Sequence, residues 1–220
     1  MDINYLYVIW IVIILIFLFG LFYYYYWVPS QSNINKYKIT LLDDETLFDE
    51  SYLNTISLQT QVNTRDTLYI PKLGYGLSFV WDMYIPSING NDKWQTSYNR
   101  IKPIISMEDS PVIGYHPKKN YLSIILKYRN NPFYAKFAEI KLDTIKQQRW
   151  SKYILIIQNR TIKLYINNVL SVSKTLPSIP VIYDIQNEII LGDKNNNFHG
   201  KIKNMVLYPY PLSYDEIELV

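Results

Sequence analysis

The chain is predicted to fold as an all-β sandwich of two packed antiparallel sheets behind one transmembrane helix. Three observations carry this prediction. The first is an uncharged apolar run from Tyr5 to Trp27. The second is a period-two alternation of apolar and polar residues through most of the remainder. The third is the set of Pro, Asn and Gly turns that separate the alternating segments.

At ~1.5 Å per residue the run from Tyr5 to Trp27 is long enough, as a helix, to cross a hydrocarbon core of ~30 Å. It ends Phe22-Tyr23-Tyr24-Tyr25-Tyr26-Trp27, and Tyr5, Tyr7 and Trp10 mark its other end. Rings with polar tips favour the headgroup level. A cleaved signal peptide needs a basic start, a shorter apolar core and a small-residue cleavage site. Here the start carries only Asp2, and bulky aromatics follow the run. The expected organisation is therefore an anchor over 1–27, a polar linker over 28–39 (Pro29, Ser30, Gln31, Ser32, Asn33) and a sandwich over 40–220. Lys36 and Lys38 follow the helix and no Lys or Arg precedes it, which places the large domain on the cytosolic side.

Each strand is read from its alternation. Leu77, Phe79, Trp81, Met83 and Ile85 alternate with Ser78, Val80, Asp82 and Tyr84. Leu122, Ile124 and Leu126 alternate with Ser123, Ile125 and Lys127. Leu155 and Ile157 share one face of a strand that starts near Trp150, and Ile162, Leu164 and Ile166 share one face of the next. Near the end, Ile202, Val206 and Tyr208 are expected on the buried face, opposite Lys201 and Lys203. One-sided alternation means sheets with one buried face. Gln158-Asn159-Arg160-Thr161 and Asn167-Asn168 read as tight hairpin turns, because Asn tolerates positive φ. Ser213-Tyr214-Asp215-Glu216 has capping-box spacing and opens a final helical turn.

Composition excludes several functions. The 220 residues contain no cysteine, which removes disulfides, thiol nucleophiles and Cys-type zinc sites. The net charge of +3 comes from 22 basic and 19 acidic residues that are interspersed, without the basic cluster of a nucleic-acid footprint. The abundance of Ile, Asn, Lys and Tyr is the usage of an AT-rich genome, such as that of a large DNA virus or a protist.

The most specific stretch is the last third. It reads Trp150-Ser151-Lys152-Tyr153, an apolar strand, and Leu164-Tyr165-Ile166-Asn167-Asn168. Then come Ile189-Ile190-Leu191-Gly192, Phe198-His199-Gly200-Lys201-Ile202-Lys203-Asn204, Val206-Leu207-Tyr208 and Leu212-Ser213-Tyr214-Asp215-Glu216-Ile217. This pattern resembles the concanavalin A-like lectin/glucanase superfamily in its laminin-G-like form. The resemblance implies a jelly-roll sandwich. Gly200 is expected where a side chain would collide with a bulky neighbour, Gly192 at a bend that ends a strand, and Trp150 capping the core between the sheets.

Glucanases of that superfamily carry a Glu-x-Asp-x-x-Glu strand, which sets an acid and a nucleophile on one face. The chain has no such motif. Glu108 and Asp109 are adjacent and would face opposite ways in a strand. His116 and His199 lie in no metal or nucleophile motif. A non-enzymatic role follows, with no cofactor expected. The candidate ligand residues are Asn91, Asp92, Trp94 and Tyr98, in a loop over 86–100, where aromatics could stack on sugar faces and amides bond hydroxyls, although a single loop tryptophan more often packs, and Trp94 folding the loop back onto the sandwich explains it better. Asp193, Asn195 and Asn197 place oxygens at alternate positions, a pattern that could take calcium, although an Asn-rich hairpin loop explains them better.

Two functions are expected from this reading. The first is a single-pass membrane-anchored structural protein with the bilayer and capsid or membrane proteins as partners. In a large DNA virus it would be a virion membrane or minor capsid protein, sitting in the inner membrane and linking it to the shell. The second is a membrane-bound lectin-like protein that binds carbohydrate.

Overall fold

A computed structural model describes residues 3–22, 38–49, 52–57, 76–87, 99–108, 110–131, 134–143, 145–181, 188–194, 196 and 198–220. The chain divides into two units, Met1–Lys38 and Ile39–Val220. The first contains helix α1, Ile3–Phe22, with no acidic residue in its first turn and no basic residue in its last. The described side chains of α1, Trp10 and Val12 through Phe22, are apolar and exposed. Among the described residues no helix is long and apolar enough to cross a membrane.

The second unit is the all-β sandwich that the alternation predicts. Its first sheet runs β1 (Ile39–Leu42), β13 (Gly200–Tyr208), β4 (Gly76–Tyr84), β9 (Trp150–Gln158), β10 (Thr161–Ile166) and β11 (Val169–Thr175), with β2 (Thr46–Phe48) also on β13. The second runs β3 (Leu53–Ser57), β12 (Glu188–Gly192), β5 (Lys102–Met107), β6 (Val112–His116), β7 (Tyr121–Asn131) and β8 (Tyr134–Asp143). Every described pairing of these strands is antiparallel.

The core between the sheets takes alternate residues from each strand: Leu77, Phe79, Trp81 and Met83 from β4, Leu122, Ile124 and Leu126 from β7, and Tyr153, Leu155 and Ile157 from β9. Trp81, fully buried, stacks on Tyr153 at 5.4 Å and 14°. Burial pushes the Tyr153 hydroxyl up to about 12, so it stays neutral. Asn159 (φ 53°) opens the β9–β10 turn, and Asn167 and Asn168 (φ 48° and 65°) form the β10–β11 turn, as their tolerance of positive φ predicts.

Two expectations are corrected. Trp150 does not cap the core. Core residues of β9 occupy odd positions, so Trp150 faces outward, against Tyr84 at 5.7 Å and under the Lys203 ammonium at 4.5 Å. Among the described residues the tryptophan in the core is Trp81. On β13 the alternation does not run through to the end: Ile202 is in the core, but so are Met205 and Leu207, while Val206 and Tyr208 face outward. The cause is a bulge, with Asn204 at φ 50° and a register shift between Lys203 and Val206. One extra residue inverts every later side chain.

The C-terminal tail covers part of the outer face this creates. Ser78, fully buried, donates from Oγ to Tyr210 O at 3.0 Å and accepts from Leu212 N at 2.9 Å. Helix α2, Tyr214–Leu219, follows with the predicted capping box: Ser213 Oγ accepts from Glu216 N and Glu216 Oε2 from Ser213 N. At the far end Lys152 Nζ donates to Val220 O. Beneath this strap the outward-facing Val80, Ile154, Ile156 and Tyr208 are buried.

Gly200 lies where the sequence places a close approach. A Cβ there would meet Phe198 Cε2 at 2.2 Å and Tyr84 O at 2.6 Å. Gly192 ends β12 at φ 77°. Gly200→Ala is expected to destabilise the sandwich by ~1–3 kcal/mol through overpacking. Urea unfolding followed by tryptophan fluorescence checks this, and a lower midpoint with an unchanged m value is the expected result.

Candidate functional site

Strand direction gathers the loops of interest at one end of the sandwich. β4 climbs to Tyr84, which pairs with Trp150 at the start of β9 and with Lys201 at the start of β13. The chain therefore leaves β4, enters β9 and enters β13 at the same rim. In the second sheet Lys102 pairs with Tyr115, and His116 with Tyr121, which in turn pairs with Asp143. Hydrogen bonds between connections set both sheets' ends side by side. Gln148 N donates to Ile85 O at 2.7 Å, Ile145 N to Asn120 O at 3.2 Å, and Asn196 Nδ2 to Ile101 O at 3.0 Å.

These ties are made by the backbone and by short polar side chains. Tyr115 has a fully buried ring, and its hydroxyl donates to Asn120 Oδ1 at 2.8 Å and accepts from Gln147 Nε2 at 3.2 Å. Asn120 Nδ2 donates to Ile145 O at 2.8 Å. Asn167 Oδ1 accepts from Lys152 N at 2.9 Å. Asn120, Gln148 and His199 all hold positive φ, at 50°, 58° and 53°. The left-handed region costs Gln and His energy that only surrounding contacts hold in place, and such residues concentrate at functional rims.

Of the residues singled out from the sequence, Asn91, Asp92, Trp94 and Tyr98 lie outside the described residues, as do Asn195 and Asn197. Described residues flank the first group on both sides, Ile85–Ser87 before it and Asn99–Lys102 after it. Asp193 is half-buried, and its carbonyl accepts from Asn196 N at 3.1 Å in a turn. The Asn196–Ile101 bond sets this turn beside the end of the 86–100 segment. No group of three or more His, Asp or Glu side chains among the described residues could hold a metal ion. Glu108 sits in a turn after β5 at φ 48°, and Asp109 is outside the described residues.

Sequence reasoning missed the Tyr115–Asn120–Gln147 network and the outward cluster of Tyr84, Trp150 and Lys203. Asn120 carries a readable signal, since Lys118-Lys119-Asn120 precedes an alternating segment and Asn suits a turn. Nothing in the sequence marks Gln148.

The rim is electrostatically mixed. His116 is buried, at 5% exposure, and packs on Tyr121 at 4.9 Å. Its Nδ1 accepts from Lys119 N at 3.3 Å. Burial pushes its imidazole below the ordinary range, and the charges of Lys119 and Lys141 add to this. Lys141 lies over the Tyr121 ring at 5.1 Å and pairs with Glu139 at 3.2 Å. Ser123 Oγ donates to Glu139 Oε1 at 2.7 Å.

Two antiparallel sheets packed as a jelly roll, with their connections collected at one rim, make a lectin-like fold. The chain belongs to the concanavalin A-like lectin/glucanases superfamily, whose laminin-G-like family model matches residues 89–218. A search of the curated proteins finds no match. Among solved structures, the chain is similar to the receptor binding domain of the botulinum neurotoxin C/D mosaic serotype at 14% identity and TM-score 0.57, covering 83% of this chain and 45% of that one. It is similar to a structure of botulinum neurotoxin type C, a toxin that depends on interaction with two ganglioside molecules to get into cells (13%, TM-score 0.55, 86% and 51%). It is also similar to the binding domain of Paraclostridial Mosquitocidal Protein 1 (18%, TM-score 0.51, 67% and 37%). The chain spans about half or less of the length of these structures. The likeness is one of fold.

The histidine gives a pH dependence with a defined sign. Its folded-state value lies below the unfolded value of 6.5, so the unfolded chain binds more protons in between. The contribution is fully present above the unfolded value and is lost as pH falls through the folded one. The urea midpoint is expected to drop between pH 7.5 and pH 5, and His116→Asn to show a shallower drop over the same interval.

Proposed function

We propose that this is a membrane-anchored, non-enzymatic recognition protein whose sandwich binds carbohydrate at the loop rim. The observation that carries the reading is the convergence at one end of the connections that flank Asn91, Asp92, Trp94 and Tyr98. That segment supplies aromatic faces and amide and carboxylate groups, the make-up of a saccharide site. Family membership supports it, as does the fold shared with toxin receptor-binding domains. No Glu-x-Asp-x-x-Glu strand is present to cleave a bound sugar.

The anchor of this proposal is the uncharged run from Tyr5 to Trp27, which as a continuous helix would reach ~34 Å. An anchored sandwich presents its rim to ligands from a membrane surface.

A second reading is favoured by a different observation. β8 and β11 end their sheets, with no further described strand on either outer edge. Tyr134, Phe137, Val169 and Leu170 on these strands are 48–72% exposed. Open edges with apolar side chains suit protein partners. On this reading the protein links a membrane to a shell, as a minor capsid protein in the inner membrane of a virion would.

A glycan array probed with the full chain tests the first reading. Selective binding that Trp94→Ala weakens ~10-fold or more is the expected result, from lost stacking and packing. An array without binders, together with co-purification of capsid components, favours the second. Protease protection on intact membranes or particles adds the orientation. Under the first reading the sandwich is digested at once, and under the second it is protected until the outer layer is breached.

A further inference from the structure

The outer face of the first sheet carries a second feature that neither the loop rim nor the open edges use. Alternation on three central strands stacks two outward rows near the rim. Lys201, Tyr84 and Trp150 form the upper row, and Lys203, Asp82 and Lys152 the one below. In the next row down Val80 and Ile154 are buried under the C-terminal strap and Val206 is half-buried. Lys152 Nζ meets Val220 O at the edge of the strap, and the side chains of the two upper rows are half-exposed. The result is a step, with α2 as its wall and a sheet surface as its floor.

The side chains on this floor are sorted by partner. Glu45 takes Lys201 at 2.7 Å. Asn204, the bulge residue, donates from Nδ2 to Asp82 Oδ2 at 2.7 Å. Lys203 holds its ammonium over the Trp150 ring at 4.5 Å, and among the described residues no carboxylate lies against it. Trp150 and Tyr84 stand together, ring centroids 5.7 Å apart, with their remaining surface half-exposed. Glu45 and Asp82 are thus engaged, and the Lys203 ammonium, with no carboxylate against it among the described residues, stands over an aromatic pair.

We infer that this step is a binding site for an acidic saccharide. A pyranose ring has an apolar face that packs on the exposed edge of the Tyr84–Trp150 pair. Its carboxylate supplies the anion that Lys203 lacks, with Lys152 at the next strand position, through charge-assisted hydrogen bonds. The free Asp82 oxygen and the Asn204 amide are placed for ring hydroxyls. The inference rests on the carbohydrate reading above and places the acid-selective contacts on the sheet face rather than in the 86–100 segment.

The test uses the full chain in lipid nanodiscs, titrated calorimetrically with 3′-sialyllactose and with lactose. The expected result is ~10-fold or greater preference for the acidic sugar, the scale of one charge-assisted contact. Lys203→Gln is expected to erase that preference while leaving the near-ultraviolet circular dichroism unchanged. Trp150→Phe, which keeps a ring, is expected to weaken both sugars less than Trp150→Ala does. A preference that survives Lys203→Gln overturns the inference and leaves the carbohydrate reading standing. The same holds if binding of both sugars is lost in Trp94→Ala and untouched in Lys203→Gln and Trp150→Ala. If a glycan array and both titrations show no saccharide bound at all, the carbohydrate reading falls and this site with it.

Discussion

The bulge at Asn204 decides more of this structure than any other single feature. β13 lies between β1 and β4 and begins with Ile202 turned into the core. One residue in the left-handed region, where Asn is tolerated, shifts the register and turns Met205 and Leu207 inward instead of Val206 and Tyr208. The main core therefore stays filled to the end of the strand. The displaced apolar residues join Val80, Ile154 and Ile156 on the other face, and that face then needs a cover. The C-terminal tail provides it, fastened through Ser78 at one end and Lys152 at the other. The second face of the first sheet is thus divided into a sealed half and an open half, and the open half carries Trp150, Tyr84 and Lys203.

The rim depends on a different economy of structure. Among the described residues its connections are joined by backbone amides and by Asn and Gln side chains, and two of the residues that shape it, Gln148 and His199, hold positive φ. Hydrogen bonds of this kind are directional and lose little to salt, unlike surface charges. A rim so built holds its loop bases in register while leaving the intervening side chains free to be chosen for a ligand. Tyr115 shows how the rim is joined to the core: its ring is packed between the sheets and its hydroxyl anchors Asn120 and Gln147 above them. His116, one residue on, is buried beside it and couples the same corner to pH.

Much of the fold is legible in the residues themselves. The alternation in β4, β7, β9 and β10 identifies their core faces, because a side chain's direction in a strand depends only on its parity. The capping box at Ser213 and the Asn turns after β9 and β10 are equally local, each decided by the conformational preferences of two to four residues. The close approach at Gly200 is also readable, since a glycine entering a strand beside a large ring has few other reasons to be there. Where alternation is interrupted the same logic fails. Val206 and Tyr208 continue the apparent pattern of Ile202, and only the partner strand reveals the bulge. Trp150 fails for a related reason: its size suggests the core, while its even position, opposite in parity to Leu155 and Ile157, puts it outside.

Local sequence thus determines the uncharged N-terminal helix, the strands, their buried faces and most of their turns, because those depend on periodicity and on φ preferences that neighbouring residues settle among themselves. What surrounds a site is decided by residues far apart in the chain. Lys203 meets Trp150, Asn196 meets Ile101, and Val220 meets Lys152 only because antiparallel pairing brings 84, 150 and 201 to one rim and a terminal strap folds back across the sheet. Strand order and register are set by the whole set of long-range pairings at once, so no local window contains them.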